Sequence, residues 1–330
     1  MTESRRSPAR RGLVLGGGGV LGGAWAVGAL EAIEEVHGID PRDFDIIVGT
    51  SAGSVLGALV AAGVSIEALR DHQRGVPITE GPLAGYLWDY ETATGGRRPS
   101  MPRLRGPGSV RLMASSLRHG LKMPPTAVLS AFLPVGNGSL ERVGHLIDAI
   151  TPFGEWSPHR SLWVVAMDYE AGHRVVFGRD DAPRASLADA VMASCAIPGW
   201  FEPVTIDERT YVDGGAWSAT SADVLAGHGL DEVYVVAPMV SFETDEPDSL
   251  LSRLERRWRG SVTRRCEGEV AELRDEGVQV TVLGPGREDL EAMGGNIMDG
   301  RRRLEVLETS LRTSRVALES GGSGRLADTG

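Results

Sequence analysis

The chain has 330 residues, 42% hydrophobic and 24% charged, enough for one large domain or two ordinary ones with a sizeable core. No uninterrupted apolar run approaches the ~18–20 residues of a membrane-spanning helix. The balance of 45 acidic against 34 basic residues, a net charge of −11, argues against general nucleic-acid binding. Cys195 and Cys266 are too few for a disulfide framework and read as buried small hydrophobes.

The first residues, MTESRRSPARRGLVLGGGGV, carry arginines ahead of an apolar stretch, as a leader peptide would. That stretch is only Leu13–Leu15 before four glycines break it. A disordered basic tail over 1–11 and a cytoplasmic location are the expectation. Gly12–Leu15 reads as a short buried strand, Gly16–Gly19 as a glycine loop, and 20–37 as a helix ended by Gly38. Asp45–Val48 is a second apolar strand, followed by Gly49–Gly53 and a helix to about Ala62. Two strand–loop–helix units in 60 residues predict an α/β fold with a parallel sheet.

Between Thr92 and Leu140 there is no acidic residue, while Arg97, Arg98, Arg103, Arg105, Arg111, Arg118 and Lys122 give the segment +7. Leu112, Met113, Leu117, Leu121 and Met123 are interleaved with these cations. The segment is expected to be an insertion over the core, part loop and part helix, forming a lid or a patch that faces an anionic membrane. The plain alternative is a solvated insertion that pairs with the acidic remainder. Regular structure resumes with a helix near 139–150 and a strand Leu162–Tyr169 in a hairpin with Arg174–Phe177. Ser186, with Asp189 three residues on, starts a helix that ends by Pro198. Val204–Ile206 and Tyr211–Val212 flank the turn Asp207–Arg209. Further strands are predicted at Glu232–Ala237 and Val278–Leu283, helices near 247–275 and 288–318, and a disordered tail from Ser320.

Three glycine-rich segments follow predicted strands, where an open α/β sheet places its site. Gly49-Thr50-Ser51-Ala52-Gly53 is a G-x-S-x-G sequence between strand and helix, a tight turn that exposes the serine hydroxyl beside a helix N-terminus. Gly16–Gly19 can converge backbone N–H groups on an oxyanion, worth ~3–4 kcal/mol per donor. Gly17 to Gly22 also satisfies G-x-G-x-x-G, with Asp40 or Asp43 about 20 residues on, so dinucleotide binding is an alternative. Asp213-Gly214-Gly215 puts a carboxylate at a strand end, able to serve as base to a serine. Of the seven histidines none has metal-ligand spacing, so no metal site is expected. His228 would complete a Ser…Asp…His order, although Ala226–Gly229 reads as a helix-ending loop.

GGGG after the first strand, GTSAG after the second, ASCAIPGWFEPV and then DGG together resemble the patatin-like phospholipase family. The resemblance covers roughly 12–237. It implies a three-layer α/β/α fold with a mainly parallel central sheet, here carrying a basic insertion at about 80–138. It also implies hydrolysis of acyl esters of lipids by a Ser–Asp dyad, with no cofactor. Carried over, Ser51 would be the nucleophile and Asp213 the base. The N–H groups of Gly17, Gly18 and Gly19 would form the oxyanion hole, supported by Gly16, Gly22, Gly49, Gly53, Gly214 and Gly215. Residues 238–319 would be an extension packing on the same domain, and 320–330 a tail. One departure is Leu21, where the family usually has Arg or Lys, which leaves a weakly catalytic lipid-binding or regulatory protein as the alternative. The expected partner is a lipid or fatty-acyl ester, with peripheral contact to an anionic membrane through 92–140 and no nucleic acid.

Overall fold

The computed structural model describes residues 9–86, 108–119, 123–151, 154–159, 161–242 and 250–320. Both expected tails, apart from Ala9–Arg11 and Ser320, and the side chains of Arg97, Arg98, Arg103, Arg105, Arg118 and Lys122 lie outside these residues.

The first strand, β1 (Arg11–Leu15), leads into helix α1 (Gly19–His37), and β2 (Ile46–Thr50) into α2 (Ala52–Ala61) and α3 (Ile66–Arg74). Gly38 caps α1 in the left-handed conformation and donates to Glu34. Two short helices, α4 (Val110–His119) and α5 (Pro125–Ser130), precede α6 (Glu141–Ile150). The hairpin β3 (Leu162–Asp168) and β4 (Arg174–Phe177) follows, then α7 (Leu187–Cys195) and the hairpin β5 (Val204–Ile206) and β6 (Arg209–Asp213). The chain ends with β7 (Glu232–Val236), α8 (Leu250–Asp275), β8 (Gln279–Leu283), α9 (Arg287–Met293) and α10 (Arg303–Ser320).

These strands form one open, mostly parallel sheet in which β1 lies between β2 and β7, and β8 extends the β7 edge. Side-chain alternation explains the layers. Leu13, Leu15, Val164, Ala166, Tyr234 and Val236 enter one core cluster, shared with α1, α2, α7 and α10. Val14, Trp163, Val165, Val233 and Val235 enter a second cluster with Cys266, Val270 and Leu273 of α8. Helices therefore cover both faces, as the near-continuous apolar strands require.

The strand β3 carries the arrangement that matters for the site. Its Val164–Met167 pair with β4 along one edge. Along the other edge it pairs first with β2, ending at Thr50 opposite Val165. That edge is then taken over by β6 running the opposite way, with Asp213 opposite Ala166. The C-terminal end of β2 and the C-terminal end of β6 thus meet head to head.

Three expectations need correction. The single helix near 288–318 is two helices, because Gly294 adopts a positive φ of 65° and ends α9, its N–H donating to the Leu290 carbonyl. A helix not foreseen, α3, is capped by Ser65, whose hydroxyl accepts from the Ala68 N–H. The apolar residues Leu112 and Met123 point inward, packing with Tyr169 and Val212 in a third cluster, and not toward solvent. Arg111 is paired with Glu170.

The close contact of α1 with α10 makes a test. A Cβ on Gly28 would lie 2.6 Å from Ser310 Oγ and 2.7 Å from the Leu311 backbone nitrogen. Helix propensity favours Ala over Gly by about 1 kcal/mol, but a backbone neighbour cannot yield. Gly28→Ala is therefore expected to lower stability, by about 1–3 kcal/mol, in urea denaturation. A gain in stability would contradict this packing.

Candidate active site

The site sits where β1 and β2 end. Ser51 follows β2 with φ 53° and ψ −126°, a backbone conformation that costs a non-glycine residue on the order of 1–3 kcal/mol. The motif's glycines explain how the turn fits. A Cβ on Gly49 would lie 2.5 Å from the Ser54 Cα, and one on Gly53 would overlap the Leu15 carbonyl.

Residues of the ASCAIPG block hold the strained turn. Ser194 Oγ accepts from the Ser51 N–H at 2.8 Å and donates to the Val165 carbonyl at 2.6 Å. It stands in for the ladder partner that Val165 loses where β2 leaves the edge. Two residues on, the Ala196 carbonyl accepts from the Asp213 N–H at 2.9 Å. Ser54 Oγ donates to the Ser51 carbonyl at 2.6 Å. One buried segment thereby fixes both Ser51 and Asp213. In the sequence the block served only the family resemblance, which does not reveal the part Ser194 plays.

Asp213 is 4% exposed. Its carboxylate accepts from the Gly215 N–H at 2.7 Å and interacts with the Ser51 hydroxyl. Burial pushes its pKa up to about 6, and the Ser51 and Gly215 hydrogen bonds hold it from rising further. Gly214 runs so close to the Val165 carbonyl that a side chain would not fit.

The glycine loop lies against the same serine: a Cβ on Gly17 would come within 3.2 Å of Ser51 Cβ. Gly16 donates to the Val236 carbonyl at 2.8 Å. Gly17 departs from the expected role, because its N–H donates to the Ala219 carbonyl at 2.8 Å. Gly18 and Gly19, the N-cap and first residue of α1, have no protein acceptor for their N–H groups among the described residues, as helix N-termini generally do not. Gly18 and Gly22 both pack on the Pro238 ring. Leu21 is fully buried in the core, and its N–H donates to the Ile297 carbonyl at 3.0 Å. An apolar residue suits that position.

Two other candidates lie elsewhere. His228 packs edge-to-face on Trp163, and its carbonyl accepts from Arg10 just before β1. It is therefore at the opposite end of β1 from the glycine loop, roughly 15 Å away for a five-residue strand. Asp40 caps the 3-10 turn ahead of β2 and pairs with Arg42. Neither it nor Asp43 reaches the strand end that a dinucleotide fingerprint needs.

Two cavities meet at Ser51. One, about 130 Å³, is apolar and lined by residues such as Val55, Leu56, Leu59, Val143 and Leu146. His72 and Arg303 also line it, and burial together with Arg303 lowers the His72 pKa to about 4, leaving the ring neutral. The other, about 420 Å³, contains Gly18, Gly19, Asp213, Trp200 and Ile297 and opens past Leu129 and Trp258. Ile297 and Met298 were not foreseen; Gly294-Gly295, breaking the helical pattern just before them, was the available signal.

A family model described as patatin-like phospholipase matches residues 13–226. Among solved structures, VipD from Legionella pneumophila is similar at 13% identity and TM-score 0.45, over 95% of this chain and 67% of that one. The type III effector protein ExoU is similar at 18% identity and TM-score 0.37, over 95% of this chain and 53% of its own. In the ExoU–SpcU complex from Pseudomonas aeruginosa the values are 20%, 0.31, 93% and 53%. This chain thus spans about two thirds of VipD and about half of ExoU.

The raised Asp213 pKa has a stability consequence. A carboxyl whose folded pKa exceeds its unfolded one lowers stability as pH rises from the unfolded value through the folded one. Between 3.8 and about 6 that loss reaches roughly 3 kcal/mol. Asp213→Asn is expected to be the more stable protein at pH 8, by up to that amount, and equal to the parent below pH 4. Denaturation curves at both pH values would read this, and an unchanged difference would count against it.

Proposed function

The chain belongs to the patatin-like phospholipase family, and from that premise we propose that it is a serine acyl hydrolase acting on acyl esters of lipids, with Ser51 as nucleophile and Asp213 as base. The observation carrying this reading is the meeting of β2 and β6 on one edge of β3, which brings the Ser51 hydroxyl to the Asp213 carboxylate. The N–H groups of Gly18 and Gly19, without protein acceptors among the described residues, are the oxyanion donors of this proposal.

Asp213 takes the Ser51 proton as Oγ bonds to the ester carbonyl carbon, and the carbonyl electron pair moves to an oxygen held by Gly18 and Gly19. Collapse breaks the bond to the alcohol oxygen, which leaves with the proton from Asp213. Water, losing a proton to Asp213, then attacks the acyl-enzyme. Ser51 Oγ leaves, is reprotonated by Asp213, and the fatty acid departs. A carboxylate titrating near 6 is a stronger base than a solvated one, yet remains ionised at neutral pH. The apolar cavity suits the acyl chain and the wider one the alcohol portion.

The membrane is proposed to meet the mouth of the wider cavity. Leu129 at 60%, Phe132 at 53% and Val135 at 51% exposure lie with Trp258 at that rim or beside it in the chain, and the acid-free run 92–140 adds positive charge. Apolar side chains next to basic ones bind anionic bilayers by interfacial burial together with charge.

Intact mass after incubation with a fluorophosphonate is expected to show one adduct on the parent chain and none on Ser51→Ala. Asp213→Asn should lose at least about 100-fold in turnover. Labelling of the parent should rise with pH through about 6 and level above it, as the base loses its proton. An adduct that survives Ser51→Ala, or full turnover in Asp213→Asn, overturns the dyad. For the membrane, Phe132→Asp with Val135→Asp is expected to abolish flotation with anionic vesicles while hydrolysis of a soluble ester persists. Equal flotation of parent and variant would remove that rim as the contact.

A further inference from the structure

A buried carboxylate outside the matched segment 13–226 reaches the glycine loop through one turn of chain. Glu269 on α8 is 4% exposed. It accepts from Ser218 Oγ at 2.5 Å, Thr220 Oγ1 at 2.5 Å, the Ala222 N–H at 2.9 Å and Arg265 Nε at 3.2 Å. Three of the four donors belong to the turn 218–222. In the middle of that turn Ser221 is fully buried with a positive φ of 54°, a conformation kept only where surroundings over-determine it. The Ser218 hydroxyl oxygen also accepts from the Thr220 and Ser221 N–H groups.

The same turn joins the two halves of the site. It leaves Asp213 through the 3-10 turn Gly214–Ala216, with the Trp217 and Ser218 N–H groups both donating to the Gly214 carbonyl. At Ala219 its carbonyl accepts the Gly17 N–H at 2.8 Å. That bond fixes the Gly16–Gly17 peptide, one residue before the amides of Gly18 and Gly19, and so constrains where those N–H groups aim. A second contact from α8 acts on the same loop: buried Arg259 donates to the Pro238 carbonyl at 2.7 Å, and the Pro238 ring packs on Gly18 and Gly22.

We infer that Glu269 is a positioning residue for the oxyanion loop, holding the Ala219 carbonyl in place to receive the Gly17 N–H. Burying a carboxylate is expensive unless its oxygens are fully bonded, and here three of the bonds come from the turn it positions. The catalytic consequence rests on the reading of Ser51 and the glycine loop given above. The link from Glu269 to Gly17 does not.

The test uses the full chain with Glu269→Ala, Glu269→Gln and, as a control, Leu273→Ala. Leu273 is a fully buried apolar residue of α8, so its truncation loosens the helix without removing any hydrogen bond to the turn. Amide exchange at Gly17, read by NMR, is expected to quicken in Glu269→Ala, and kcat to fall roughly 10- to 100-fold with KM within about twofold. Glu269→Gln, which keeps an acceptor for Thr220 and Ala222, should recover part of both. Leu273→Ala should change neither, even at an equal loss of thermal stability. Unchanged Gly17 exchange in both Glu269 variants, or the same changes in Leu273→Ala, overturns the inference. If the parent chain shows no Ser51-dependent turnover, the proposed function falls, and the exchange measurement alone decides whether Glu269 holds the loop.

Discussion

The site depends on one edge of β3 being shared by two strands. A parallel partner, β2, leaves after Val165, and an antiparallel one, β6, arrives at Ala166. A strand that stops beside a neighbour normally leaves backbone groups unpaired, and buried orphans are costly. Here the Val165 carbonyl is taken by Ser194 Oγ, which also receives the Ser51 N–H. The break in the ladder is thus where Ser51, the proposed nucleophile, is held. Pairing and strain come from the same few atoms.

Asp213 shows the opposition between stability and reactivity. Its burial raises the pKa, which disfavours the ionised fold but gives the carboxylate the basicity that its proposed role requires. A histidine would supply that basicity without burial, yet the only one downstream of Asp213 sits at the other end of β1. The surrounding glycines follow from the same crowding. Gly49, Gly53 and Gly214 each meet backbone where a side chain would stand, so the turns that carry the serine and the carboxylate are closely backed by main chain.

The local motifs were legible because each is a strand end followed by a turn, and strand ends are marked by apolar runs stopping at glycine. The expected alternation of strands and helices holds for β1 to α2, the β3–β4 hairpin and the capped start of α7. What was not legible depends on tertiary neighbours. Nothing within Gly16–Gly19 reveals that Gly17 spends its N–H on Ala219, some 200 residues away. Leu112 and Met123 alternate with cations as a membrane face would, yet packing on Tyr169 and Val212 turns them inward. Glu269 sits in a helix dense with charge and reads as solvated until its three partners on the turn are seen. A carboxylate's surroundings are set by what packs on it, and periodicity does not report that.

The segment beyond residue 226 packs into the same sheet and helical layer as the matched residues. β7 and β8 complete the sheet beside β1. Ser310 of α10 donates to the Trp25 carbonyl at 2.6 Å, fixing the helix whose first turn carries the proposed oxyanion donors. The Ile297 carbonyl receives the Leu21 N–H, satisfying one of the amides that a helix start leaves open, while Ile297 and Met298 line the cavity in front of Ser51. A fragment ending at 226 would expose the β1 edge, strip that helix of its cover and release the turn that Glu269 holds. The matched blocks hold the proposed dyad and oxyanion donors, but the geometry around them is set partly by residues far outside those blocks.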